Sequence, residues 1–171
     1  MKLYILRHGD AVEHGDPRYE ENERPLTRKG IQRTKRLAHA LGQMEISFDV
    51  ILSSPLTRAR ETSELVAEGL HMKPGKLRFT DDLTPSGSMK DFLAQLNELQ
   101  PSLRNVLMVG HEPYLSVFIS LLCVGGPKLS LTLKKGALCR LDMHAPTPEG
   151  GATLEWLLQP RLLGFKRQGG D

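Results

Sequence analysis

The sequence predicts an α/β fold: a three-layer sandwich with a mainly parallel sheet, helices on both faces and an antiparallel strand at one edge. Up to residue 124, short apolar runs typical of buried strands alternate with helical patterns. Such alternation implies right-handed crossovers and parallel strands covered on both sides. Beyond this point two apolar runs flank Lys134-Lys135-Gly136, a pattern that predicts an antiparallel hairpin.

Apolar runs place the strands. The predicted strands are 2–6, 49–52, 76–79 and 105–109, the hairpin arms 129–133 and 137–143, and a final strand at 153–158. Residues 9–25 are polar and contain glycine and proline, which predicts a long loop. A loop of that length in a compact domain is usually functional.

Capping residues place the helices. Thr27 is a good N-cap for the first helix, and Gly42 is expected to end it. Ser54-Pro55 predicts a second helix to about Gly69, with serine as the N-cap and proline at the first helical position. Two further helices are expected at 88–99 and 113–124.

Length and composition bound the class of protein. The 171 residues suit one domain, 1–171, without an internal boundary. The longest apolar run, 115–124, is about half of a membrane span. Arg7 and His8 follow too soon for a signal peptide, so a cytoplasmic location is expected. The net charge is +3 and only 5% of residues are aromatic, which argues against nucleic-acid binding.

The two cysteines, Cys123 and Cys139, have no CxxC spacing. We expect two buried free thiols. No cluster of Cys, His and carboxylates has metal-ligand spacing, so neither a metal nor a cofactor is expected.

Charged and histidine side chains follow three predicted strands. Arg7, His8 and Gly9 come after the first, Arg58 lies one helical turn past the second, and His111 follows the fourth along the chain. Ligands of open parallel sheets bind at the carboxyl ends of the strands. Two arginines, two histidines and two helix N-termini at one edge predict a site for a multiply charged anion, with phosphate the obvious one.

Each of these residues also has a structural explanation when taken alone. Arg7 could be an ordinary ion-paired arginine, His8 a packing histidine, Arg58 part of a solvated helix face, and His111 an N-cap neighbour of Glu112. The coincidence at three strand ends favours the site. An unprotonated histidine can attack phosphorus while arginines stabilise the phosphoryl oxygens, so His8 is the expected nucleophile.

Four sequence blocks resemble the histidine phosphatase superfamily, whose fold is phosphoglycerate-mutase-like. They are LRHG at 6–9, PLTRKG at 25–30, SSPLTRARET at 53–62 and GH at 110–111. The resemblance implies that His8 is phosphorylated and that Arg7, Gly9, Arg58 and His111 bind the phosphate. RHGDA at 7–11, LTPSG at 83–87 and the short chain resemble SixA-type phosphohistidine phosphatases most.

No residue matches the acid of the mutase branch of this superfamily. The candidate carboxylates are Asp81, Asp82 and Glu112, of which Asp82 and Glu112 are the possible general acids. Segment 71–88 is too short to form the cap of larger members. Phosphohistidine leaves as imidazole and needs less help from an acid than an alkyl phosphate does. Glu112 is expected to cap the helix that opens at Pro113.

Three functions remain open. The first is a metal-independent phosphatase of phosphohistidine in proteins, with a partner such as a histidine-phosphotransfer domain. The second is a phosphatase of small phosphate esters that uses Glu112 or Asp82 as the acid, and the third is a non-catalytic phosphate or phosphopeptide binder. A basic helix face (Arg28, Lys29, Arg33 and Arg36) could steer an acidic partner, although it also suits a solvated surface.

Overall fold

The computed structural model describes residues 1–99 and 102–160; the last part of the predicted domain, 161–171, lies outside the described residues. Six strands form one sheet in the order β3-β2-β4-β1-β5-β6. The strands are β1 (Lys2–Arg7), β2 (Val50–Ser53), β3 (Leu77–Phe79), β4 (Asn105–Gly110), β5 (Leu138–Asp142) and β6 (Thr153–Leu158). The helices are α1 (Arg28–Gln43), α2 (Thr57–Gly69), α3 (Met89–Leu99) and α4 (Tyr114–Val124).

The sheet is parallel from β3 to β1 and antiparallel beyond it. β1 pairs with β4 in parallel and with β5 in antiparallel orientation, and β6 pairs with β5 at the edge. The predicted α/β class and antiparallel edge are therefore confirmed. The central strand β1 has a partner on each side, so its carboxyl end is held from both directions.

Helices cover both faces of the sheet and create two cores. Leu3 and Ile5 of β1 pack on one face with side chains of α3 and α4, such as Phe92 and Phe118. Tyr4 and Leu6 point to the other face, where residues of α1 and α2 cover them. This alternation along one strand is the period of two that a buried strand requires.

The hairpin prediction was wrong in one arm. Residues 129–133 form no strand, and the hairpin partner of β5 is β6. Polar contacts other than a strand ladder hold the segment: the Leu129 N–H donates to Ser120 Oγ at 2.8 Å, and the Leu133 carbonyl accepts from Arg7 at 2.8 Å. The fully buried Leu133 fills the core, which explains the apolar run.

The starts of α2 and α4 differ from the prediction, whereas the start of α1 agrees with it. Thr27 does cap α1, accepting from the Gly30 N–H at 3.0 Å, and α1 continues to Gln43, one residue past Gly42. However, α2 begins only at Thr57 because Ser54 Oγ accepts from the Leu56 N–H at 3.3 Å in a turn that precedes the helix.

The start of α4 is shifted in the same direction. Pro113 occupies the N-cap position of α4 rather than the first helical position. Both prolines expected to open helices therefore stand before the first helical residue.

The cysteines are both free, with Cys139 buried as predicted and Cys123 only partly buried. Within the described residues, no helix has the length and apolar character that crossing a membrane would require.

Candidate active site

The carboxyl ends of β1, β2 and β4 are neighbours in the sheet, and they bring the sequence-predicted residues together. The ring centroids of His8 and His111 lie 5.1 Å apart. Arg58 enters the same space from α2, and the charges of Arg58 and Arg7 lower the pKa of both histidines. The cluster of two histidines and two arginines expected from the sequence is thus present at one edge of the sheet.

His8 is a buried, neutral histidine whose tautomer is fixed. The side chain is 5% exposed, and Nδ1 lies 2.8 Å from the Gly9 carbonyl oxygen. Because a carbonyl oxygen can only accept, Nδ1 carries the proton and Nε2 keeps its lone pair. Burial lowers the pKa of His8 to about 3, with the positive charges of Arg58, Arg7 and Lys135 acting in the same direction and the Gly9 hydrogen bond opposing them.

His111 is held through its Nε2 atom, whereas His8 is held through Nδ1. Its Nε2 lies 2.9 Å from Ser54 Oγ, and its buried Nδ1 has no hydrogen-bond partner in the described part of the chain. Burial lowers the pKa of His111 to about 2, helped by His8 and the nearby arginines. The ring is therefore neutral as well, with Nδ1 left for another partner.

Arg58 is anchored by one side of its guanidinium. Nη1 donates to the Glu21 carbonyl at 2.9 Å, and Nη2 lies 3.6 Å from Glu21 Oε1. The side chain is only 4% exposed, and its buried Nε has no partner among the described residues. Burial, followed by the charge of Arg24, lowers the pKa of Arg58. An anion bound beside Arg58 would accept hydrogen bonds from its remaining N–H groups.

Arg7 is held in a similar way from the other side of the site. Nη1 donates to the Leu133 carbonyl at 2.8 Å, while the buried Nε finds no partner within the described ranges. Burial lowers the pKa of Arg7, and the negative charge of Glu112 opposes that shift. One fixed hydrogen bond thus orients the guanidinium and leaves other donors for a ligand.

The loop that precedes α1 contributes two residues that sequence reasoning missed, Glu21 and Arg24. Arg24 is 9% exposed and donates to Glu21 Oε2 at 2.8 Å and to the Val12 carbonyl at 2.5 Å. Its hydrogen bond is the main reason that the pKa of Glu21 falls to about 2. An arginine directly before PLT, in a loop already suspected of function, was the available signal.

Gly9 has a packing role that the sequence did not reveal. A Cβ at this position would lie 2.9 Å from Thr34 Oγ1, and the Gly9 N–H already donates to Thr62 Oγ1 at 3.0 Å. Thr62 Oγ1 in turn donates to the Arg58 carbonyl at 2.7 Å. These contacts link the segment after His8 to the first turn of α2, and a direct contact of Gly9 with phosphate stays a prediction.

The structure separates the three candidate carboxylates. Glu112 accepts from the Ser116 hydroxyl at 2.6 Å through Oε2, while Oε1 is buried without a partner in the described chain. The expected cap of α4 by Glu112 was wrong, because no side chain caps this helix and the carboxylate binds a hydroxyl instead. Asp82 accepts from Thr80 Oγ1 at 3.2 Å, and Asp81 is exposed. Glu112 is the carboxylate whose charge reaches Arg7.

Metal-ligating side chains do not gather in the same way: within 1–99 and 102–160 no three His, Cys, Asp or Glu side chains are grouped so that they could hold a metal ion. The local charge comes from guanidinium groups.

The fold and this cluster define a class of protein. The family model of the histidine phosphatase superfamily, branch 1, matches residues 3–84, and the chain belongs to that superfamily. An uncharacterized protein of Picosynechococcus sp. is 41% identical over 147 residues, which are 85% of this chain and 87% of the relative. The chain is accordingly a phosphatase of this superfamily.

Two further matches that cover nearly the whole chain are to SixA proteins. The phosphohistidine phosphatase SixA of Escherichia coli (strain K12) is 29% identical over 161 residues, which are 94% of each chain. A solved structure of the protein histidine phosphatase SixA complexed with tungstate matches with a TM-score of 0.81 at 27% identity, covering 95% of this chain and 99% of the other.

Proposed function

We propose that this phosphatase removes the phosphoryl group from phosphohistidine in proteins, through a covalent intermediate on His8. The observation that carries the proposal is the state of His8: a buried neutral ring, with Nδ1–H bound to the Gly9 carbonyl and Nε2 free to attack. The near-full-length similarity to SixA supports the substrate class.

In the first step, His8 Nε2 forms a bond to phosphorus as the bond from phosphorus to the substrate nitrogen breaks. The electron pair of that bond leaves with the substrate imidazole. Water then attacks phosphorus, the bond to Nε2 breaks, and inorganic phosphate leaves. The Gly9 carbonyl holds Nδ1–H throughout, so it stabilises the positive charge that the ring acquires while it is phosphorylated.

The arginines stabilise the oxygens of the transferring group. Arg58 and Arg7 each make one hydrogen bond to a protein carbonyl, and each has a buried Nε without a partner in the described residues. Fixed donors of this kind need no reorganisation as charge develops.

His111 supplies a further donor in this proposal. Ser54 Oγ accepts from the Leu56 N–H, so its own proton is available for His111 Nε2. His111 Nδ1 then carries the ring proton and can donate it to a phosphoryl oxygen.

The region around the site suits a protein substrate. Segment 71–88 forms only the short strand β3 and a single 3₁₀ turn at Asp81–Leu83. That segment builds no cap over the histidines. The lack of an α-helix or further domain in this segment supports a phosphorylated side chain on a protein surface as the substrate, in preference to a small ester that a cap would enclose.

A second candidate, a phosphatase of small phosphate esters, is favoured by one observation. Glu112 Oε1 is buried without a partner in the described chain and lies on the Arg7 side of the site. A carboxyl group with one oxygen left unpartnered is a candidate proton donor for an alkoxide leaving group.

Leaving-group dependence separates the two candidates. We would compare kcat/KM for a histidine-phosphorylated peptide, an aryl phosphate and a sugar phosphate, in the native chain and in Glu112→Gln. Phosphohistidine and aryl phosphate should be cleaved well and sugar phosphate poorly, with Glu112→Gln changing phosphohistidine turnover by less than about tenfold, because general-acid catalysis is typically worth about 10²–10⁴-fold where it operates.

Glu98→Gln, at an exposed position of α3, is the matched control. Rapid turnover of the sugar phosphate that Glu112→Gln abolishes would replace the first function by the second. A collapse of phosphohistidine turnover in folded Glu112→Gln would show instead that this leaving group also requires an acid.

A further inference from the structure

A basic groove lies beside Arg7, between α1 and the segment that precedes β5. Its volume is about 400 Å³, and it is lined chiefly by Arg7, Asp10, Arg33, Lys134, Lys135 and Gln159. Arg7 lines this groove and, in the proposed function, also binds the phosphoryl group, so the groove begins at the proposed phosphate site. Its two lysines come from the segment first predicted to be a hairpin turn.

The lysine-bearing segment is tied to the nucleophile by its backbone. The Gly136 N–H donates to the carbonyls of Arg7, at 3.1 Å, and of His8, at 3.0 Å. Gln159 binds the same segment from the far side, donating to the Thr132 carbonyl at 2.8 Å. The positions of both lysine backbones relative to His8 are therefore fixed.

The charges in the groove are unevenly compensated. Arg33 Nη1 lies 2.7 Å from Asp10 Oδ2, so this pair is neutral overall. Neither lysine forms an ion pair within the described parts of the chain; Lys134 is exposed and Lys135 half-buried. Lys135 is close enough for its charge to act on His8. A surplus of positive charge thus extends outward from the phosphate site.

We propose that this groove binds a carboxylate-rich segment of the substrate protein, next to the phosphorylated side chain, through Lys134 and Lys135. The inference rests on the proposed function and adds which phosphoproteins are preferred. Carboxylates on the substrate would pair with the two lysines while the phosphoryl group occupies the arginines. Complementary charge at such a distance raises the association rate and fixes the orientation of the partner.

The test compares two histidine-phosphorylated peptides of equal length. One carries Asp and Glu on both sides of the phosphohistidine, and the other carries Asn and Gln at the same places. At low ionic strength the native chain should prefer the acidic peptide by about tenfold in kcat/KM, and the preference should shrink at high salt. Because both peptides share one leaving group, the ratio cancels changes in the chemical step.

Lys134→Gln/Lys135→Gln should bring this ratio close to one. Lys73→Gln/Lys76→Gln removes the same charge at exposed positions before β3, at the opposite edge of the sheet, and should keep the preference. Equal turnover of the two peptides by the native chain, or a preference that survives in Lys134→Gln/Lys135→Gln, would overturn the inference.

A second pair of peptides, with phosphotyrosine in place of phosphohistidine, distinguishes the two proposals. If the phosphohistidine pair is not cleaved but the phosphotyrosine pair shows a lysine-dependent preference, the groove is supported and the substrate class is wrong. If phosphohistidine is cleaved without any preference, the substrate class stands and the groove does not bind acidic segments.

Discussion

The carboxyl ends of β1 and β4 each present a buried neutral histidine, but the two rings are held by opposite nitrogens. His8 is bound through Nδ1 to a carbonyl that can only accept, whereas His111 is bound through Nε2 to a hydroxyl that can donate. The first arrangement leaves a lone pair free on Nε2, and in the proposed function the second leaves a proton on Nδ1, with the Ser54 hydroxyl donating to Nε2. Two identical side chains in one cluster thus acquire different chemistry from their hydrogen-bond partners alone.

Replacing His8 should have the largest effect. His8→Ala should lose essentially all turnover, because the remaining groups of the site bind phosphate but do not attack phosphorus. Labelled substrate should leave an acid-labile, base-stable phosphate on His8 in the native chain. Circular dichroism would verify that the variant is folded. Label on a serine, or a fully active variant, would assign the attack to a different group.

Removing Arg58 should come next. Arg58→Ala should lower kcat/KM by about 10²–10³-fold, the scale for losing one preorganised donor in a water-excluded site. Arg58→Lys should also be poor, since an ammonium cannot form the planar fork. Arg60→Ala, on the same helix but exposed, is the control. Near-normal kinetics in Arg58→Ala would separate this arginine from the transferring group.

Acid should destabilise the fold through both histidines. Their folded-state pKa values, about 3 for His8 and about 2 for His111, lie below the ordinary value of 6.5. The unfolded chain therefore binds protons first, so the free energy of unfolding should fall as pH drops below 6.5. The slope is at most about 1.4 kcal/mol per pH unit for each histidine.

Urea unfolding at pH 7, 6 and 5, in buffers without phosphate, measures this slope. His8→Asn and His111→Asn should each reduce it. The same slope in all three proteins would mean that other groups cause the loss of stability in acid.

The smallest effect should come from Ser54, which contacts only one of the two rings. Ser54→Ala removes the contact with the Leu56 N–H and the hydrogen bond to His111; the latter is worth about 1 kcal/mol, so kcat should fall about fivefold through a less well oriented His111. A positioning role predicts that Ser54→Ala costs almost nothing further once His111 is already Ala. An undiminished loss in the double variant would assign Ser54 a function apart from His111.

Much of this site follows from the sequence, because residues just past parallel strands must meet at one edge of the sheet. That rule located Arg7, His8 and His111 without any side-chain geometry. It could not find Arg24, because a loop residue has no periodicity to indicate where its side chain points.

Two of the wrong predictions, the Ser54 cap and the strand at 129–133, share a physical cause. Serine is a typical N-cap residue, but the Ser54 hydroxyl contacts His111 Nε2 and the Leu56 N–H. Leu56 lies in the turn before α2, so no N–H of the helix itself is bound. Residues 129–133 have the apolar character of a strand, yet their backbone binds side chains elsewhere in the fold. In both cases a contact with a residue distant in the sequence determines the local structure. The neighbouring residues alone do not predict such a contact.

The central position of β1 also sets when the enzyme can become active during synthesis. The proposed nucleophile, His8, follows β1 directly, but the neighbours of this strand, β4 and β5, come on the order of a hundred residues or more later in the chain. A ribosome must therefore complete most of the chain before His8 acquires its surroundings. Until then both edges of an apolar strand are unpaired, a state in which association with other chains competes with folding. A chain that ends before β4 and β5 therefore lacks the neighbours that hold His8 in the folded protein.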